Sequence, residues 1–173
     1  MHIGIFGPTQ CGKTTISLYL IKYVYKPAGR ICLVLDDICD PAFTRAGADF
    51  QTDDPEHFLK VVKANPDASI FVDESGDLVG RKEIEQLATK HRHAGQNVHY
   101  MGQRPCDTRP RIRANLPCIY LFRSDIDDCK ILAKEKVQPA FMEGVNLERG
   151  EFIFSGTFTK TRRGNVSKYF GKF

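Results

Sequence analysis

The sequence predicts an α/β sandwich, with a mainly parallel central sheet between helical layers and an antiparallel hairpin at its C-terminal end. Three observations carry this reading. Short apolar runs alternate with longer amphipathic segments as far as residue 135, and parallel strands need such helical crossovers between them. The first apolar run feeds straight into a glycine-bearing loop, Gly7-Pro8-Thr9-Gln10-Cys11-Gly12-Lys13-Thr14. Beyond residue 150 the pattern changes to two strand-like runs, 151–154 and 166–170, around Arg163-Gly164-Asn165.

Each element has its own warrant. His2-Ile3-Gly4-Ile5-Phe6 is short and largely apolar, as a buried strand is. Residues 14–25 hold no Gly or Pro and read as a helix, which Lys26-Pro27-Ala28-Gly29 stops. A second strand over 30–35 closes on Asp36-Asp37, and 38–54, with Pro41, Gly47 and several acids, reads as irregular. A helix over 55–64 shows Phe58, Leu59, Val61 and Val62 on its apolar face and breaks at Asn65-Pro66-Asp67. Residues 69–74 form a third strand ending in two carboxylates, and 80–94 a polar helix ended by Gly95. Strands over 97–101 and 117–122 and a short helix over 127–135 complete the α/β part.

At 173 residues, 42% hydrophobic and 27% charged, the chain suits one well-buried core. The expected organisation is a core over 1–156 and a basic hairpin or tail over 157–173 belonging to the same domain. No apolar run is long enough to span a membrane and none reads as a secretory signal, so a soluble, non-secreted protein is expected. Six scattered cysteines without a C-x-x-C pair argue against a zinc site or a disulfide framework. Cys32 and Cys118 read as small buried hydrophobes, and nothing makes Cys11 a catalytic thiol. His91-Arg92-His93 reads as solvated and not as a metal site. The net charge is +4, with five Lys/Arg and no acid over 157–173, and four arginines against one acid over 104–113. Both stretches suit an anionic polymer, and both equally suit a solvated face.

The loop carries the first chemistry. A strand, a glycine loop and a helix in that order converge backbone N–H groups and the positive helix end on phosphate. Residues 7–15 (Gly7, Pro8, Thr9, Gln10, Cys11, Gly12, Lys13, Thr14 and Thr15) form the candidate nucleotide cradle. Gly12 permits close backbone approach, Lys13 reaches the β- and γ-phosphates, and the Thr14 hydroxyl ligates Mg²⁺. The loop resembles the phosphate loop of P-loop NTPases, which makes ATP with Mg²⁺ the expected ligand pair. Asp73, carried to the carboxyl edge of the sheet, is the second candidate for the Mg²⁺ shell, and Glu74 is the candidate to polarise an attacking water. Gln103, after the fourth strand, lies beside the γ-phosphate if that strand neighbours the first. Asp36, Asp37 and Asp40 either face this site or cap loops.

Further residues form a more selective pattern: Arg92-His93-Ala94-Gly95, the strand 98–101, Gln103-Arg104-Pro105, Ala114-Asn115-Leu116-Pro117, the strand 118–122, and Asp128 with Ile131-Leu132. Together they resemble the second half of the motor core in the FtsK–HerA superfamily of DNA-pumping ATPases, in particular the genome-packaging ATPases of viruses. With the two nucleotide motifs and Gly150-Glu151-Phe152 the resemblance spans about residues 2–154. It implies a catalytic set of Lys13, Glu74, Gln103 as polar sensor and Arg92 as an arginine finger reaching a neighbouring subunit, with Arg104 a second candidate finger. It also implies a five- or six-membered ring around DNA, double-stranded by analogy, working in host cytoplasm or on the virion and docking to portal or vertex proteins. The chain reads as a bare motor core without the DNA-reading domain or membrane anchor of larger relatives. Arg109, Arg111, Arg113, Lys160, Arg162 and Arg163 are candidate DNA contacts, with a packed or solvated role open for each. The competing readings are a P-loop nucleoside or nucleotide kinase and a filamentous-phage-type assembly NTPase.

Overall fold

A computed structural model describes residues 2–73, 86–87, 95–157 and 159–168. Period two along the strands builds the layers. In β1 (Ile3–Phe6), β2 (Cys32–Leu35), β4 (Ser69–Asp73), β5 (Asn97–Gly102) and β6 (Cys118–Phe122), successive side chains enter opposite cores. Leu33, Leu35, Ile70, Val72, Val98, Tyr100, Ile119 and Leu121 fill one core, while Ile3, Ile5, Cys32, Val34, Phe71, Met101, Cys118 and Phe122 fill the other. Burial on both faces explains why these strands are continuous apolar runs. The first core is covered by α3 (Pro55–Ala64), α4 (Pro110–Ala114), α5 (Ile126–Glu135) and a 3₁₀ segment, Pro139–Asn146. The second is covered by α1 (Lys13–Tyr19), its π-helical continuation Leu20–Tyr25, and α2 (Pro41–Ala46). Each fully buried Phe, Leu or Ile stabilises this sandwich by about 1.5–3 kcal/mol.

Among the described residues, eight strands, including β3 (Phe50–Thr52), β7 (Glu151–Gly156) and β8 (Thr159–Asn165), run in the order β3-β2-β4-β5-β1-β6-β7-β8. All pairs from β3 to β6 are parallel, and β7 and β8 close the sheet antiparallel. This is the expected α/β sandwich with a mainly parallel sheet and a C-terminal hairpin. β5 lies between β1 and β4, with Phe6 opposite Gly102 and Asp73 opposite Met101. The order brings the ends of three motif-bearing strands side by side.

Two expectations need correction. Residues 38–54 are not irregular: Asp40 caps α2 by accepting from the Ala42 N–H at 2.8 Å, and β3 adds a parallel edge strand. The hairpin turn is not at Arg163-Gly164-Asn165, which lie in β8, but in the short connection between Gly156 and Thr159. Glycine is needed at 164 for another reason. A Cβ there would run into the Phe152 ring across the ladder, so the strand approaches an aromatic ring that only glycine admits. Of the helix expected over 80–94, only Gln86 and Leu87 are described, both helical, with Leu87 buried. Cys32 and Cys118 are buried in strands as expected.

Candidate functional site

The loop after β1 is shaped by positive φ at three places, the first being Gly7 at 156°. Gln10 has φ 62° and Gly12 has φ 116°. A Cβ on Gly12 would also meet both Val166 methyls at 2.9 Å, so glycine answers both backbone conformation and contact. The loop is tied to the sheet by Gly7 N–H donating to Gly102 O at 3.2 Å, directly before Gln103. Its helix is anchored by the Ser17 hydroxyl, which lies 3.2 Å from Lys13 O and 2.9 Å from Met101 Sδ on β5. Lys13 Nζ donates to Gly7 O at 2.8 Å and to Pro8 O at 3.1 Å, arching its ammonium over the loop.

A cavity of about 730 Å³ opens at this carboxyl edge. Thr9, Gln10, Cys11, Gly12, Lys13, Thr14, Thr15, Asp73 and Gln103 all line it, so the residues that the sequence singled out on three strands share one space. Asp73 has the strand parity of Phe71, which puts it on the α1 face, and Gln103 follows directly on the end of β5. Gly7 underlies the loop, and Pro8 lines a smaller concavity of about 250 Å³ on its outer side, with Arg123 and Glu148. Glu74 and Arg92 lie outside the described residues.

Thr14 and Asp73 offer hard oxygen donors, the chemistry Mg²⁺ selects. Among the described residues, no group of three or more His, Cys, Asp or Glu is placed to hold a metal. Two oxygen donors fit a Mg²⁺ whose remaining ligands are phosphate oxygens and water. Cys11 is buried, and burial pushes its thiol up despite the neighbouring Lys13, which favours the thiol over the thiolate.

The sequence missed one wall. Arg149, Gly150, Asn165, Val166 and Ser167 line the same cavity. Val166 N–H donates to Gly150 O at 2.8 Å, and Arg149 Nε donates to Gln10 O at 3.3 Å, so the end of the hairpin braces the phosphate loop. The only sequence signal was Gly150, at φ 85°. The acids divide: Asp37 lines the cavity with Ile38, whereas Asp36 is buried and accepts from Ile38 N–H, Asp40 N–H and Gln51 Nε2. Asp36 and Asp40 are therefore loop and helix caps.

The basic candidates also separate. Arg113 is buried, paired to Glu135 at 2.7 Å and donating to Pro105 O and Thr108 O, which removes it from the DNA candidates. Arg104 pairs within the chain with Asp128 at 3.0 Å and Asp125 at 3.3 Å, its side chain 46% exposed. Arg163 pairs with Glu151 at 2.7 Å, while Arg109, Arg111, Lys160 and Arg162 are exposed. No helix among the described residues is long and apolar enough to cross a membrane.

No protein-family model matches the sequence, and no curated protein matches it closely. Solved structures do resemble the fold. The genome packaging NTPase B204 from Sulfolobus turreted icosahedral virus 2, in complex with AMPPCP, superposes with TM-score 0.74 at 16% identity, covering 94% of this chain and 96% of its own. The pCW3 conjugation coupling protein TcpA with ATPγS gives TM-score 0.64 at 17% identity over 95% of this chain and 59% of its own. The cytoplasmic domain of the Thermomonospora curvata type VII secretion ATPase EccC gives 0.66 at 13% identity over 95% of this chain and 25% of its own. At these identities the likeness establishes the fold, and this α/β chain has the P-loop NTPase fold that the resemblance to the FtsK–HerA superfamily implied.

Proposed function

We propose that the chain is an ATP-hydrolysing DNA translocase of the viral genome-packaging kind. The observation that carries the reading is the meeting of Lys13, Thr14, Asp73 and Gln103 around one cavity at the sheet's carboxyl edge, in a fold that matches a packaging NTPase along nearly its whole length. Lys13 would hold the β- and γ-phosphates. Thr14 and Asp73 would hold Mg²⁺, which offsets charge on the transferring phosphoryl group. Gln103 presents an amide that binds a phosphate oxygen or the attacking water without adding charge. Glu74, next in sequence to Asp73, is assigned to polarise that water, and Arg92 to reach the neighbouring subunit's γ-phosphate in a five- or six-membered ring around double-stranded DNA. Residues 1–156 would be the motor core and 157–173 its basic extension. Docking to a portal or vertex would place the assembly in host cytoplasm or on the virion.

The test is phosphate release from ATP with and without duplex DNA, alongside the mass of the assembled species. Stimulation by DNA and a ring mass are expected; turnover that requires a nucleoside acceptor instead would identify a kinase. Glu74→Gln should keep ATP binding and stop turnover. Arg92→Ala and Lys13→Ala subunits, each inactive alone, should partly restore activity when mixed if the finger acts across an interface.

A further inference from the structure

The turn that carries Gln103 is gripped from one helix at two points. Asp128, in the first turn of α5 and 1% exposed, accepts from Arg104 Nε at 3.0 Å through Oδ2 and from the Cys106 N–H at 3.0 Å through Oδ1. Asp125 adds a second contact to Arg104 at 3.3 Å. At the far end of α5, Glu135 accepts from Arg113 Nε at 3.0 Å and Nη2 at 2.7 Å, and Arg113 Nη1 in turn donates to Pro105 O and Thr108 O. Buried carboxylates cost free energy unless both oxygens are used, and here both are used on the two residues flanking Pro105. The short loop over 103–108 therefore has little freedom of its own.

We propose that Asp128 is the positioning residue for the Gln103 amide: through Arg104 and the Cys106 N–H it fixes the turn that aims Gln103 into the cavity. This rests on the reading of Gln103 as the amide at the terminal phosphate. Asp128 is not among the residues that line the cavity, so its effect on the site passes through the turn it holds, from which Gln103 enters the lining.

The experiment is a double-mutant cycle on kcat and KM for ATP, using Asp128→Asn, Gln103→Ala and the pair. Asn offers one acceptor oxygen for two donors, so the turn loosens while side-chain volume is kept. Asp128→Asn is expected to lower kcat about tenfold with KM within about twofold, and to cost less than about twofold in a Gln103→Ala background. Asp127→Asn, an exposed neighbour paired with Lys130, leaves kcat unchanged. Independent losses that multiply would overturn the positioning role while sparing the reading of Gln103. A Gln103→Ala protein with undiminished kcat would overturn both. Hydrogen exchange in the nucleotide-free protein gives a readout apart from turnover. The Cys106 amide should exchange at least about tenfold faster in Asp128→Asn while β6 amides are unchanged, and unaltered exchange at Cys106 also overturns the proposal. If Asp128→Asn does not fold, Arg104→Lys carries the same cycle: its point charge replaces the fork, and a loss that disappears in Gln103→Ala is the supporting result.

Discussion

At the amino edge of the sheet, polar side chains close on the backbone. Arg30 donates to Ser69 Oγ at 3.0 Å, Ala68 O at 3.2 Å and Gly95 O at 2.9 Å, linking the approaches to β2, β4 and β5. Gln96 Nε2 donates to Val62 O and Asn65 O at 2.9 and 2.8 Å, fastening the end of α3 to the same edge. At the carboxyl edge the same strands end in a cavity, a loop with left-handed residues and an ammonium resting on two loop carbonyls. The sheet thus separates two tasks. Groups at one edge satisfy each other and hold strands in register, while groups at the other are directed into a shared space. Substitutions should separate accordingly into losses of stability and losses of turnover.

The largest effect expected is at the carboxyl edge. Lys13→Ala should reduce ATP turnover by about 10³-fold or more, since it removes the cation that follows the terminal phosphates. Its cost in stability should stay below about 1 kcal/mol, because its two acceptors are carbonyls at a solvent-open loop. Phosphate release and urea unfolding measured on one preparation check both halves. A Lys13→Ala protein that loses stability and turnover together would break the comparison.

Acid should act on the interior between the edges. His99 is fully buried, stacked on Phe71 at a centroid distance of 4.2 Å. The Ile70 carbonyl at 3.0 Å can only accept, so Nδ1 carries the proton, and Nε2 accepts from the Tyr25 hydroxyl at 2.7 Å. Burial pushes the imidazole down to about 3, only partly opposed by the Ile70 bond. The folded value lies below the unfolded one near 6.5, so the unfolded chain binds the extra proton between those limits. Stability from this group is full above pH 6.5 and is lost as pH falls toward 3, by roughly 3 kcal/mol at pH 4. Urea midpoints from pH 7 to pH 4 should fall less steeply in His99→Leu, even though that variant starts lower. Arg30→Ala, at the amino edge, comes next: about 1–2 kcal/mol of stability from the hydrogen bonds it removes, since Ala68 O keeps the Asn97 N–H at 3.1 Å, with kcat within about twofold of the parent.

How far the sequence reveals this division depends on the range of the forces involved. The phosphate loop, Asp73 and Gln103 were legible because each follows an apolar strand at once, and strand order alone brings them together. The alternation of Phe71 and Val72, or Met101 and Tyr100, between two cores was implicit in continuous apolar runs, though the runs could not say which face met α1. β3 was hidden because Phe50-Gln51-Thr52 is too short for periodicity and owes its place to β2. The hairpin turn was misplaced because Gly164 answers to the Phe152 ring, a contact between strands that no local pattern encodes. The wall formed by Arg149, Asn165, Val166 and Ser167 was missed for the same reason, since its two ends meet only once β7 and β8 have paired. The Arg104–Asp128 clamp spans 24 positions and left no sign beyond the two residues themselves.

The smallest expected effect sets the lower limit of the comparison. Lys26 and Asp49 pair at 2.7 Å near the amino edge, but their side chains are 37% and 38% exposed. Burial raises the Asp49 carboxyl, yet the Lys26 hydrogen bond and the Cys32 N–H together outweigh it and leave the pKa lowered. With its folded value depressed, Asp49 stabilises the fold above the ordinary carboxylate range and ceases to do so as pH falls through that lowered value. Water and salt screen so exposed a pair, so Lys26→Ala should cost under about 1 kcal/mol at low ionic strength and close to nothing in 1 M NaCl. The Cys32 N–H bond to Asp49 at 2.8 Å survives the substitution and is what holds the strand entry. A larger, salt-independent loss would mean that Lys26 supports the turn at Gly47 by packing, since its Cγ lies 3.2 Å from where a Cβ on Gly47 would stand. The amino edge would then be held by side-chain contact as well as by hydrogen bonds.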